Sequence, residues 1–199
     1  MTDFLYPFLE RTEDDAAALL ADLAASARAK TAASVTLRDD TLRLLDGELT
    51  RTAVAIRARV AAGGRLLVFG NGGSATDAAG FVARLRPLPA LCLTDDDAII
   101  TALANDVGFD VVFARTLRAV GRAEDVAVGF STSGGSRNVL AAFEAARAMG
   151  MLTIGIAGYG GGQLPGAVDH CLVVASDSVH RIQETQNAVA YELWRRLTR

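Results

Sequence analysis

The chain has 199 residues, of which 51% are hydrophobic and 22% are charged, a balance typical of a soluble globular domain with a full core. Its 20 basic and 23 acidic residues give a net charge of −3 without any basic run, so direct nucleic-acid binding has no electrostatic basis. No apolar stretch approaches a membrane span and no basic leader opens the sequence, so we expect a cytoplasmic protein that does not bind membranes.

Residues 14 to about 62 are predicted to be helical, because apolar side chains recur there at steps of three and four residues. The main stripe is Leu42, Leu45, Leu49, Thr52, Ile56 and Val60, and a weaker one upstream is Leu19, Leu20, Leu23 and Ala27. Gly63-Gly64 is expected to end the second helix. We expect the stripes to pack on the domain's own sheet, and residues 1–62 to contribute to an oligomer interface.

From Arg65 onward, short apolar strands alternate with helical segments. The strands are predicted at 65–69, 90–94, 125–130, 152–157 and 170–175, and the helices at about 74–86, 97–105, 111–121, 136–149 and 179–197. This alternation indicates crossover units and a parallel sheet, so residues 1–199 are predicted to form a single α/β domain. Cys92 and Cys171 lie in apolar runs without zinc or disulfide spacing, and we expect two buried, inert thiols.

Two glycine- and serine-rich loops follow apolar strands of the predicted sheet. The first is Gly70-Asn71-Gly72-Gly73-Ser74, and the second is Ser131-Thr132-Ser133-Gly134-Gly135-Ser136. A loop that runs from a strand into a helix exposes backbone N–H groups at the positive end of the helix dipole, and glycines and hydroxyls complete an anion site. Two such loops at equivalent positions predict a phosphorylated small molecule at the carboxyl ends of the sheet.

The first loop also satisfies a dinucleotide-binding pattern. Gly70-x-Gly72-x-x-Ala75 matches the glycine spacing, and Asp95 ends the next predicted strand, where a ribose-binding acid would lie. However, Ser74 and Asp77 follow the short turn as helix caps and polar contacts. A dinucleotide site also has no need of the second loop. A dinucleotide enzyme therefore stays a less favoured alternative.

Four motifs in this order resemble a known family. They are the two loops, Ala104-Asn105-Asp106-x-Gly108-Phe109 and Arg181-Ile182-Gln183-Glu184. Together they resemble the sugar isomerase (SIS) domain family, most closely its phosphoheptose isomerase branch, over nearly the whole chain. The resemblance implies a three-layer fold, a five-stranded parallel sheet flanked by helices and preceded by N-terminal helices. It also implies a homotetramer with active sites between subunits.

The resemblance also implies which residues bind a phosphosugar. They are Asn71, Gly72, Gly73, Ser74, Asp95, Ser131, Thr132, Ser133, Ser136 and Gln183. In that family the serine-rich loop holds the substrate phosphate, while Asn71 and Ser74 would contact the sugar chain and Asp95 would hold a hydroxyl. The alternative role for Ser136 is that of a helix cap.

The same resemblance predicts a departure in the catalytic groups. Ketose–aldose isomerisation needs a base near the carbon acid and an acid near the carbonyl oxygen. The family supplies a His and a Glu after the first loop and a Gln and a His on the last helix, in a site that commonly holds zinc. Those positions are Gly80, Arg84, Gln183 and Tyr191 here, so we expect no metal and no other cofactor. Candidates for relocated catalytic groups are Gln183, His180 and Glu184.

Three functional hypotheses stay open. The chain is an isomerase of the phosphoheptose type, which converts sedoheptulose 7-phosphate to D-glycero-D-manno-heptose 7-phosphate with shifted catalytic groups. Alternatively, it is a catalytically inactive phosphosugar-binding regulator, adaptor or partner subunit. The third hypothesis is a different enzyme on a similar scaffold. The expected partners are a phosphorylated sugar and other subunits, in a homotetramer or in a hetero-oligomer with a paralogue.

Overall fold

The computed structural model describes residues 16–198. The predicted helix start at residue 14 and the first residues of the chain, where no leader is expected, lie outside this range. The chain divides into two compact units, one up to Thr36 and one comprising Leu37–Arg199. A helix, α1, covers Ala16–Leu44, and within the first unit its side chains Leu20 and Leu23 are exposed.

The second unit alternates strands and helices as predicted. Its elements are α2 (Asp46–Ala61), β1 (Leu66–Gly70), α3 (Gly73–Arg84), β2 (Ala90–Cys92), α4 (Asp97–Asp106), α5 (Val112–Val120), β3 (Val126–Ser131), α6 (Arg137–Ala148), β4 (Leu152–Ala157), β5 (His170–Val173) and α7 (Val179–Leu197). The predicted strands and helices after residue 64 agree with these bounds to within about two residues, the usual uncertainty of element ends.

The five strands form one parallel sheet in the order β2-β1-β3-β4-β5. This confirms the predicted α/β class. The chain reverses its direction of growth across the sheet between β1 and β3, and such a switch point opens a crevice at the carboxyl ends of the two strands. The two polar loops follow these neighbouring strands, so the topology brings them together.

Helices cover both faces of the sheet, because successive strand residues point to opposite sides. Leu66 and Val68 pack with α2, α3 and α7, whereas Leu67 and Phe69 pack with α5 and α6. The ring of Phe69 lies 5.4 Å from that of Phe143 on α6. Burial of each such side chain contributes about 1.5–3 kcal/mol and stabilises the sheet that carries both loops.

The main apolar stripe of the second predicted helix packs on the sheet as expected. Leu49, Thr52 and Ile56 are fully buried, and their neighbours Leu42 and Val60 are partly buried against the same core. For this main stripe, the predicted packing on the domain's own sheet is therefore confirmed, whereas Leu20 and Leu23 of the upstream stripe are exposed.

The two thiols differ in burial. Cys92 is buried and Cys171 is partly exposed. Burial raises the pKa of Cys92, and it raises the pKa of Cys171 to about 11, so both remain protonated and unreactive at neutral pH. Within residues 16–198, no helix combines the length and apolar character needed to cross a bilayer.

Candidate functional site

The two polar loops meet in one cleft at the carboxyl ends of β1 and β3. In the ladder between these strands, Gly70 pairs with Phe130, so the chain leaves both strands at the same level. The cleft has a volume of about 270 Å³ and is lined by Asn71, Ser74, Phe130, Ser131, Thr132, Ser133, Ser136, Tyr159, Val179 and Gln183. Seven of these were predicted as phosphosugar-binding residues from the sequence.

The first loop turns directly into α3. Gly72 has a φ of +53°, a conformation that glycine adopts without steric cost, and the Ser74 N–H then donates to the Asn71 carbonyl at 2.9 Å. The Ser74 side chain is buried, with its Oγ 3.4 Å from Thr132 Oγ1 of the second loop. One hydroxyl from each loop therefore lies at the base of the cleft.

A reciprocal pair of amides joins the first loop to α6. Asn71 Nδ2 donates to Asn138 Oδ1 at 2.8 Å, and Asn138 Nδ2 donates to Asn71 Oδ1 at 2.8 Å. This pair holds the Asn71 side chain in a fixed orientation and leaves it one N–H for a ligand. Asn138 is buried and does not line the cleft. Sequence reasoning missed it, although its position two residues after Ser136 was a signal.

The second loop presents its hydroxyls around the start of α6. Ser131 Oγ and Ser136 Oγ lie 3.0 Å apart, and Ser133 Oγ accepts from the Gly135 N–H at 3.2 Å. Ser136 occupies the cap position of α6 without a side-chain hydrogen bond to the helix. The capping alternative for Ser136 is therefore not supported, and the first N–H groups of α6 have no side-chain cap.

A glycine-rich segment after β4 borders the cleft beside the two loops. The Gly158 N–H donates to the Thr132 carbonyl at 3.0 Å, and the Gln163 N–H donates to the Gly134 carbonyl at 2.9 Å. The backbones approach so closely that a Cβ at Gly134 would lie 1.9 Å from the Gly161 carbonyl oxygen. Residues 158–163 are thus fixed against the serine-rich loop through backbone contacts.

The first turn of α7 also borders the cleft. The Gln183 carboxamide lies against the start of α3, where a Cβ at Gly73 would be 2.6 Å from Gln183 Nε2. Glycine at this position makes room for the glutamine side chain at the edge of the cleft. Val179, one turn before Gln183 on the same helix face, also lines the cleft.

Three residues predicted from the resemblance lie away from the cleft lining. Asp95 is exposed beyond the end of β2, the edge strand on the far side of β1 from β3. His180 and Glu184 are also exposed on α7, and Glu184 borders a separate surface groove with Asn187 and Tyr191. The structure does not bring these three side chains to the serine-rich loop.

A polar network outside the cleft lining joins α3 to α7. Arg84 Nη2 donates to Asn187 Oδ1 at 3.4 Å, and Asn187 Nδ2 donates to Asp77 Oδ1 at 3.2 Å. Burial raises the pKa of Asp77, although the Asn187 hydrogen bond and the nearby Arg84 charge oppose this. Farther along α7, the Tyr191 ring packs on Trp194 with centroids 5.2 Å apart.

Comparison with known proteins assigns the fold to a family. The SIS domain model matches residues 31–158. A phosphoheptose isomerase of Desulfovibrio desulfuricans is 54% identical over 145 residues, 68% of this chain and 69% of that protein. One from Roseiflexus sp. is 49% identical over 150 residues, 69% of this chain and 76% of that protein.

The fold agrees with this assignment. The structure of a phosphoheptose isomerase from Neisseria gonorrhoeae superimposes with a TM-score of 0.86 at 35% identity, covering 88% of this chain and 98% of that one. The likeness thus extends to both sequence and fold. The chain belongs to the SIS domain family, within its phosphoheptose isomerase branch.

Proposed function

We propose that this chain binds a phosphorylated sugar in the cleft, with the phosphate in the serine-rich loop. The observation that carries the proposal is the clustering of Ser131, Thr132, Ser133 and Ser136 around the uncapped start of α6. A phosphate there would accept hydrogen bonds from hydroxyls and backbone N–H groups at the positive end of the helix dipole.

The sugar chain would extend from the phosphate toward the first loop and α7. Asn71, Ser74 and Gln183 border that part of the cleft, and their amides and hydroxyl can pair with sugar hydroxyls. Asp95 is exposed outside this lining, so its proposed contact with a hydroxyl would need a different arrangement of the end of β2.

We propose further that the chain lacks the acid–base and metal arrangement that the resemblance implies for active members. Gly80 offers no side chain, and the Arg84 guanidinium, a cation, already pairs with Asn187. No cluster of three or more His, Cys, Asp or Glu ligands occurs within residues 16–198. A zinc site needs imidazole, thiolate or carboxylate donors, so the donor set at positions 80, 84 and 191 does not fit the metal.

Isomerisation is the second candidate function, supported by identities of up to 54% with proteins named phosphoheptose isomerase. It would require a titratable group within reach of the first two carbons of the sugar. Of the candidates from the sequence, Gln183 lines the cleft but does not titrate. His180 and Glu184 are titratable, and their exposed positions on α7 favour binding without turnover.

The deciding experiment combines calorimetry with NMR. Sedoheptulose 7-phosphate is titrated into the protein, and aldose product is then followed by NMR. Saturable binding without turnover above the buffer rate is the expected result. Turnover would remove the binder-only hypothesis, and absence of binding would remove both candidates. One zinc per subunit in the purified protein would contradict our account of positions 80, 84 and 191.

Assembly, location and the dinucleotide alternative are proposals of the same kind. We propose a homotetramer, or a hetero-oligomer with a paralogue, in the cytoplasm. Light scattering of the purified protein, alone and mixed with such a paralogue, tests the assembly. A thermal-shift comparison of NAD with phosphosugars tests the dinucleotide alternative, for which we expect stabilisation by phosphosugars alone.

A further inference from the structure

The wall of the cleft contains one residue with an unusual backbone. Tyr159 has a φ of +51° and is the one non-glycine residue with a positive φ in the described part of the chain. The left-handed region is disfavoured for residues with a Cβ. Such residues persist where the surrounding structure fixes them, and they cluster at ligand-binding sites.

Fixed contacts on both sides hold Tyr159 in this conformation. The Gly158 N–H donates to the Thr132 carbonyl at 3.0 Å, and the Gly161 N–H donates back to the Gly158 carbonyl at 2.8 Å. After the turn, Gly161 lies against Gly134 at backbone contact distance. The backbone on either side of Tyr159 is therefore held against the serine-rich loop, which places Tyr159 at the cleft.

The Tyr159 side chain lines the cleft and is 40% exposed. Its hydroxyl makes no hydrogen bond to any residue between 16 and 198. Val179, across the cleft rim, is 43% exposed. Phe130 also contributes to the lining but is fully buried, and the remaining lining groups are hydroxyls and amides. Tyr159 and Val179 thus form the apolar surface that a ligand in the cleft would meet.

Resting on the proposed phosphosugar binding, we propose that Tyr159 distinguishes a sugar phosphate from inorganic phosphate. With the phosphate in the serine-rich loop, the carbon chain next to it lies against the Tyr159 ring. Apolar C–H groups of the sugar pack on the ring face, while hydroxyls of the sugar meet Asn71 and Gln183. Aromatic rings supply such contact area at low entropic cost.

Two variants distinguish the contribution of the Tyr159 ring to binding from the contributions of the backbone conformation and of the hydroxyl. Tyr159→Gly removes the ring, and glycine adopts the positive φ freely, so the loop is not forced to rearrange. Tyr159→Phe keeps the ring and removes the hydroxyl. Inorganic phosphate serves as the internal control in each variant, because it would contact the serine-rich loop and not the ring.

The experiment measures the affinities of inorganic phosphate and sedoheptulose 7-phosphate for the wild-type protein and both variants by calorimetry. We expect Tyr159→Gly to reduce the preference for the phosphosugar by about 3- to 10-fold with phosphate affinity unchanged, and Tyr159→Phe to keep that preference.

Equal weakening of both ligands in Tyr159→Gly would overturn the inference, because Tyr159 would then act on the loop alone. An unchanged preference, or an equal loss in Tyr159→Phe, would overturn it as well. If the wild-type protein bound neither compound, the proposed function itself would fail. If the wild-type protein bound phosphate and phosphosugar equally well, the role of Tyr159 would fail and the phosphate site would stand.

Discussion

At the scale of single residues, the hydroxyls of Ser131 and Ser133 are the strongest test of the phosphate site. Hydrogen bonds to charged groups contribute about 1.5–3 kcal/mol each, so Ser131→Ala combined with Ser133→Ala should weaken phosphosugar binding by about 2–4 kcal/mol. Calorimetry measures the loss. Ser26→Ala, an exposed serine of α1, is the control and should leave the affinity unchanged. Equal affinity in all three proteins would mean that the loop has another role.

A hydrogen bond between Glu48 of α2 and His170 of β5 predicts a pH dependence of stability. Burial raises the pKa of Glu48, but hydrogen bonds from His170 and Arg51 outweigh burial and lower it below 4.5. His170 Nδ1 lies 2.6 Å from Glu48 Oε1. Because the pKa is lower in the folded state, the carboxylate stabilises the fold above its unfolded pKa and loses this effect as the pH falls through the folded pKa.

The corresponding variant is Glu48→Gln. Denaturant unfolding at pH 7 should show the wild type more stable by about 0.2–1 kcal/mol, the range for partly exposed pairs. The difference should shrink in measurements at successively lower pH below 4.5. If the difference in the free energy of unfolding stayed constant down to acidic pH, Glu48 would act through packing and not through its charge.

At the scale of elements, substitution by alanine should have different effects at two glycines of α3, on ligand affinity at one and on stability at the other. A Cβ at Gly73 would lie 2.6 Å from Gln183 Nε2, whereas one at Gly80 would lie 3.5 Å from Arg84 Nη1, an ordinary contact. Gly73→Ala should displace Gln183 and weaken phosphosugar binding about 3- to 10-fold, the value of one hydrogen bond.

Gly80→Ala is the matched control within the same helix. Alanine in a helix interior is favoured over glycine by about 0.5–1 kcal/mol, so this variant should unfold at higher denaturant concentration with unchanged affinity. Calorimetry measures the phosphosugar affinity of both variants, and urea unfolding measures their stability. Loss of affinity in Gly80→Ala alone would place the sugar against the middle of α3 and contradict the proposed position of the ligand.

At the scale of the whole molecule, variants of the exposed apolar side chains Leu20 and Leu23 of α1 test the expected oligomer interface. Leu20 is 67% exposed and Leu23 is 49% exposed. If another subunit covers them, Leu20→Ser with Leu23→Ser should lower the mass found by light scattering. Val107→Ser, which is outside residues 1–62 and at a position 47% exposed, is the control and should keep the wild-type mass. An unchanged mass in the double variant would remove this stripe from the interface.

The sequence allowed the fold class and the meeting of the two loops to be predicted, because alternating strands and helices require a parallel sheet whose loops share one edge. The position of Asp95 could not be predicted, because it depends on strand order. β2 lies at the edge of the sheet beyond β1, and no local pattern reports which strands are neighbours.

The placement of α7 residues follows helix geometry that the motif alone did not include. Val179 and Gln183 are four residues apart and share a helix face, while His180 and Glu184 each lie one residue further on and are rotated by about 100°. A helical projection of this segment would have placed His180 and Glu184 on a different face from Val179 and Gln183. For the Asn71–Asn138 pair, whose partners are 67 residues apart in the chain, the sequence offered only the position of Asn138 two residues after Ser136 and no pattern that joined it to Asn71.

The contact between Gly134 and Gly161 restricts how the family branch can diverge. A side chain at position 134 would collide with backbone, 1.9 Å away, and no rotamer change relieves such a collision. Replacement of Gly134 therefore requires the loop after β4 to move. A Cβ at Gly161 would instead lie 2.7 Å from Pro165 Cγ at a φ of +88°, so that position favours glycine for a separate reason. Across related proteins, we expect both positions to stay glycine, and a larger residue at position 134 to occur only with a changed loop after β4, a correlation that aligned sequences can show.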